Sequence, residues 1–136
     1  MDGTSGALYA IFLNALVCAL RTQSARTSSA DAATWAAALK ESSDSMARYT
    51  PARPGDRTLV DALVPFVETL SSSGDLAKAA EAARKGAEST KGMQASLGRT
   101  VYVGGSGFEQ VPDPGAWGLS CFFGGLAGAE EGWEAL

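Results

Sequence analysis

The chain has 136 residues, 46% of them apolar and 19% charged; this excludes a disordered acidic polymer and fits one domain with a sizeable core, taken as 1–136. Its net charge of −4 excludes broad electrostatic attachment to nucleic acid, which needs a basic face. With no histidine there are no imidazole triads and few routes to a zinc site, and Cys18 and Cys121, each in an apolar segment, read as reduced, buried thiols of a cytoplasmic protein.

The first predicted helix covers about 5–21. Leu8, Phe12, Ala15, Val17 and Leu20 occupy much of its circumference, which predicts a central helix buried on most sides. Its apolar stretch, 7–20, contains Asn14 and falls short of the roughly 20 residues of a membrane span. It also lacks the basic leader and small-residue cleavage site of a signal peptide. After a polar linker at 22–30, Asp31 is an N-cap for a second helix, along which Trp35, Leu39, Met46 and Tyr49 keep helical spacing.

Pro51, Pro54 and Gly55 interrupt that helix, and Asp56 is the expected cap of a third at 57–72. Val60, Leu63, Val64, Val67 and Leu70 form its apolar face; Pro65 inside it predicts a kink that leaves the Asp61 carbonyl without its helical donor. After a break at 71–74, Asp75 caps a fourth helix at 76–96. Its inner stripe is Leu76, Ala80, Ala83, Ala87, Thr90 and Met93, and its solvated stripe includes a Glu81–Lys85 pair. A glycine-containing loop at 97–112 follows, in which 100–103 is too short a β-like run to build a sheet. Asp113 and Pro114, a cap and a first-turn proline, then start a last helix. The result is an all-α chain with an acidic tail from 130 onward.

Four polar turns stand at or near helix starts. Gly3-Thr4-Ser5-Gly6 could offer free N–H groups and hydroxyls to a phosphate, although Thr4 or Ser5 serves equally as an ordinary cap. The turn at 54–58 and the Asp113-Pro114-Gly115 turn also read as turns with Asp caps, and a loop Arg99 is by default solvated, although its guanidinium suits phosphate. Their convergence at one rim does not follow from spacing.

In order, the blocks MDGTSGALYAIF (1–12), RYTPARPGDRTLVDALVPFVETL (48–70), AAEAARKGAESTKGMQASLGRTVYVG (79–104) and VPDPGAWGL (111–119) resemble the nucleotide-binding domain of the dihydroxyacetone (glycerone) kinases, over nearly the whole chain. TPARPGDRTLVDAL points to the single-chain, ATP-using type. The resemblance implies a C-terminal ATP-binding barrel of eight antiparallel helices, of which about five are present here. It also implies transfer of the ATP γ-phosphoryl to dihydroxyacetone held by a separate domain of the parent or a partner chain. In some animal members it further implies cyclisation of a flavin nucleotide, and it allows a homodimer of the parent. Under it, Thr4 and Ser5 would bind ATP phosphates, Thr50 and Leu59 would lie along the nucleotide, and Arg99 would reach the phosphates. Asp113, Pro114 and Gly115 would line the adenosine side.

The family holds Mg2+ through a D-x(4)-D-x-D block upstream of the GTSG turn. No such spacing occurs here; Asp31, Asp44, Asp56, Asp61 and Asp75 do not reproduce it. The expectation is therefore an ATP-binding part of a dihydroxyacetone kinase, lacking its N-terminal helices and inactive alone. The alternative is a non-catalytic helical interaction module built on the same scaffold. Five helices of an eight-helix barrel would also expose a long apolar flank.

Overall fold

In a computed structural model, the structure describes residues 3–26, 31–97 and 110–128. They form α1 (Thr4–Ser24), α2 (Ala32–Met46), α3 (Val60–Ser73), α4 (Leu76–Ser89) and α5 (Pro114–Leu126), with no strand among the described residues, so the fold is all-α. Each helix packs on the next in chain order, and α5 returns onto α3. α3 is thus the centre: Leu63, Phe66, Val67 and Leu70 are buried along it, and the Phe66 ring stacks on Phe123 of α5 with centroids 3.7 Å apart. The inner stripe of α4 is made of small residues. Ala79, Ala80, Ala83 and Ala87 are buried there, with Thr90 just beyond, and the Glu81–Lys85 pair lies on the solvated side.

Local chemistry sets most helix starts. Asp31, Asp75 and Asp113 each accept the N–H three residues on, from Thr34, Lys78 and Ala116, and Pro114 occupies the first turn of α5. Pro65 lies inside α3 without ending it. Gly74, in the left-handed region at φ 65°, terminates α3 and turns the chain into α4.

Several expectations are corrected. α1 is not enclosed: Leu8, Phe12 and Ala19 are its buried residues, while Leu13 and Val17 are exposed, because α1 packs chiefly on α2. It is also longer than its apolar stretch, 21 residues, since polar residues, Arg21 among them, extend it at both ends. By length and composition alone it could cross a membrane. Cys18 is exposed on its open side and Cys121 half-buried, so neither is a core thiol. Trp35 is 42% and Tyr49 72% exposed, because the second apolar stripe faces a groove and then runs off the end of α2. α4 stops at Ser89 rather than at 96: the Thr90 hydroxyl donates back to the Ala87 carbonyl, and Gly92 takes φ 76°. α3 begins at Val60, three residues later than expected, for a reason that lies in the preceding turn.

Candidate functional site

The turn before α3 is organised by the Asp61 carboxylate. The Gly55 N–H donates to one of its oxygens (2.6 Å) and the Thr58 N–H to the other (2.8 Å). The Val60 N–H donates in turn to the Thr58 hydroxyl (3.2 Å), completing a reciprocal capping arrangement in which Asp61, not Asp56, is the acid. Asp56 faces elsewhere: it accepts from the Arg53 N–H and from the Ser96 hydroxyl, and so ties this loop to the segment after α4. Holding both ends of so short a turn puts Gly55 at φ 101° and Arg57 at φ 59°. Such a conformation costs a non-glycine residue roughly 1–3 kcal/mol and cannot continue a helix, which is why α3 starts late.

The turn before α5 is held from two sides. Its Asp113 N–H donates to the buried Thr90 hydroxyl (2.7 Å), and the Arg57 guanidinium, 2% exposed, donates to the Val111 carbonyl (2.9 Å). Asp113 is itself buried, with its carboxylate accepting from Ala116. Gly115 then passes directly over Leu59. A β-carbon at 115 would lie 3.6 Å from the Leu59 Cβ and 3.1 Å from the Asp113 carboxylate, so the absent side chain lets the turn pass close at this crossing. Half-buried Tyr9 faces the same turn: burial and then the charge of Asp113 push its phenol above its ordinary 10.0.

The structure therefore brings Leu59, Asp113 and Gly115 together and sets Tyr9 of α1 close by, one turn after Ser5. Thr4 and Ser5 do not cap α1. They are exposed within its first turn, and the cap position is Gly3, at φ 89° and with no side-chain acceptor. Unlike α2, α4 and α5, α1 has no capping side chain among the described residues. Pro114 is exposed at the start of α5. Thr50 stands at the far end of the loop, its hydroxyl accepting locally from the Ala52 N–H and its carbonyl from Arg53, and these bonds do not link it to Leu59. Arg99, the run at 100–103 and the acidic tail lie outside the described residues. Sequence reasoning missed Tyr9 and the junction roles of Arg57, Asp61 and Thr90; of these only that of Asp61 had a legible signal, the Thr58-x-x-Asp61 spacing.

Beside this junction, α1, α2, α3 and α5 surround an open cavity of about 760 Å³ with Phe12, Leu39, Met46, Leu63 and Phe122 among its lining. Leu13, Phe122 and Leu126 of that lining are exposed, and so is Val17 of α1. A divalent cation finds no cage: among the described residues no three acidic or cysteine side chains gather, and the buried carboxylates, Asp61 and Asp113, are already engaged by backbone N–H groups. These residues do not fit the oxygen-rich coordination of magnesium.

The all-helical fold and its glycine-crossed turn coincide with a match of residues 1–128 to the DAK2 domain family model, and the chain belongs to that family. It is 44% identical over 138 residues to the dihydroxyacetone kinase of Pichia angusta, a match covering 95% of this chain and 23% of that protein. It is 43% identical over 131 residues to the putative 3,4-dihydroxy-2-butanone kinase of Solanum lycopersicum (90% of this chain, 22% of that protein). It is 40% identical over 124 residues to the triokinase/FMN cyclase of Homo sapiens (85% and 20%). The chain thus spans between 20% and 23% of the length of these relatives.

Proposed function

We propose that this chain is the ATP-binding part of a dihydroxyacetone kinase, from the C-terminal helical barrel of a longer parent. There the γ-phosphoryl of ATP passes to a hydroxyl of dihydroxyacetone held by a separate domain, leaving ADP. The observation that carries this reading is the open N-terminus of α1: Gly3 in place of a capping side chain, followed by the exposed hydroxyls of Thr4 and Ser5. Unclaimed N–H groups, a positive helix end and a glycine that lets a ligand approach are what a phosphate chain requires. The Leu59–Gly115 crossing beside Asp113 supports an adenosine-side surface, and the kinase names of the relatives support the nucleotide. Arg99 joins the site by resemblance alone.

The described residues offer no cation cage and so do not themselves supply the charge neutralisation on which phosphoryl transfer depends. The same observation favours a second reading, a helical interaction module that kept the scaffold without the chemistry. Equilibrium dialysis against ADP, with a coupled assay on ATP, magnesium and dihydroxyacetone, separates them. The kinase-part reading expects measurable ADP binding and no turnover. No binding favours the module, and substantial turnover by the chain alone overturns its inactivity. In a full-length parent, Arg99→Ala should weaken ATP binding by about tenfold or more, the worth of a charge-assisted hydrogen bond.

A further inference from the structure

The nucleotide reading makes no use of Arg57, yet Arg57 is the most unusual residue of the junction. It is a charged side chain at 2% exposure, on a backbone with φ 59°, and its hydrogen bond to Val111 spans 54 positions of sequence. The arrangements around it link two turns. Asp61 grips the N–H groups of Gly55 and Thr58 on either side and so fixes the left-handed turn. That turn delivers the guanidinium to the Val111 carbonyl, two residues before Asp113. Thr90 holds the Asp113 N–H from α4. Leu59, two residues after Arg57, is the floor on which Gly115 rests. The turn before α3 and the turn before α5 are therefore one unit, and the Arg57 side chain is a cross-tie between them. Backbone held in a sparsely populated conformation persists where the surroundings enforce it, and such places concentrate at functional sites.

We propose that Arg57 is a positioning residue: by fixing the Val111 carbonyl it sets the Asp113–Gly115 turn in the place where it meets a nucleotide. The inference rests on the nucleotide reading above for its consequence, but not for the cross-tie itself. Arg57 does not touch the ligand in this role. A donor at the end of a long stem is what the bond needs, so lysine should substitute and methionine, which keeps the stem and loses the donor, should not.

The test uses the whole chain in three forms, wild type, Arg57→Lys and Arg57→Met, with ADP affinity by equilibrium dialysis and amide hydrogen exchange over 111–117 without nucleotide. The expected result is ADP affinity about tenfold weaker or more in Arg57→Met, within about threefold of wild type in Arg57→Lys. The Asp113 and Ala116 amides should exchange faster in Arg57→Met only. ADP affinity in Arg57→Met within about twofold of wild type overturns the proposal, whatever the exchange shows. If Arg57→Met does not fold, Arg57→Lys decides, and a loss beyond threefold overturns it. If wild type itself binds no ADP, the nucleotide reading has failed separately. Exchange then decides the cross-tie, which unchanged protection in Arg57→Met overturns.

Discussion

Gly86 of α4 lies directly against the backbone carbonyl of Asp61 in α3. A β-carbon at position 86 would overlap that oxygen and come within 3.1 Å of the Pro65 ring. The two features explain each other. Pro65 has no N–H to give the Asp61 carbonyl, and the missing side chain at 86 lets α4 close over the carbonyl left without its helical donor.

Gly86→Ala should therefore destabilise the chain, although alanine is the better helix former by about 1 kcal/mol. Forcing a methyl group into backbone with no room to yield costs more than propensity returns, for an expected net loss on the order of 2 kcal/mol. The urea midpoint of the variant measures it, and a midpoint at or above wild type would show that α4 has room to move away.

The Tyr9 phenol tests whether α1 and the Asp113 turn meet. Burial first, and the Asp113 charge second, raise its pKa above 10.0. A raised folded-state value means stability that is complete below the unfolded value and lost as pH climbs through the folded one, so the chain should weaken in the alkaline range above about pH 10. Tyrosinate absorbance should show a late-titrating phenol that Tyr9→Phe abolishes. Asp113→Asn should bring that titration partly back and leave the share due to burial. No change on Asp113→Asn would separate the two helices.

Acid should act through two helix caps. The Thr34 N–H and hydroxyl hold the Asp31 carboxyl below its ordinary 3.8, and the Lys78 N–H, with the Lys78 charge adding less, does the same for Asp75. For a depressed carboxyl the stabilisation is present above the unfolded value and disappears as pH falls through the folded one. The loss should thus begin near pH 4 and deepen below it. Asp31→Asn and Asp75→Asn should each flatten the acid limb of stability against pH. An unaltered limb in both would place acid sensitivity elsewhere.

The helix starts were legible because they are local: an Asp, or an Asp with a following Pro, bonds an N–H three residues away whatever the rest of the chain does. Asp56 misled because the same logic applies to its sequence neighbourhood, while the three-dimensional turn hands the capping to Asp61 and leaves Asp56 to Arg53 and Ser96. The burial of α1 was not legible, since an apolar helix looks the same whether other helices enclose it or one side stays open. Of the candidate site, the turns could be read from their glycines and prolines. The Leu59–Gly115 crossing and the Arg57 cross-tie could not, because both join segments more than fifty positions apart. Gly86 reads in sequence as a helix weakness, and its use appears only when a second helix lies across it.

The open trough between α1 and α5 has a calorimetric consequence. Phe122, Leu126 and Leu13 are already in water in the native chain, so unfolding exposes less new hydrocarbon there. Since newly wetted apolar area is the source of the heat-capacity increment, ordinarily about 12–15 cal/mol/K per residue, this chain should fall below that range. Its stability curve should accordingly be flatter with temperature than that of an enclosed domain of equal length.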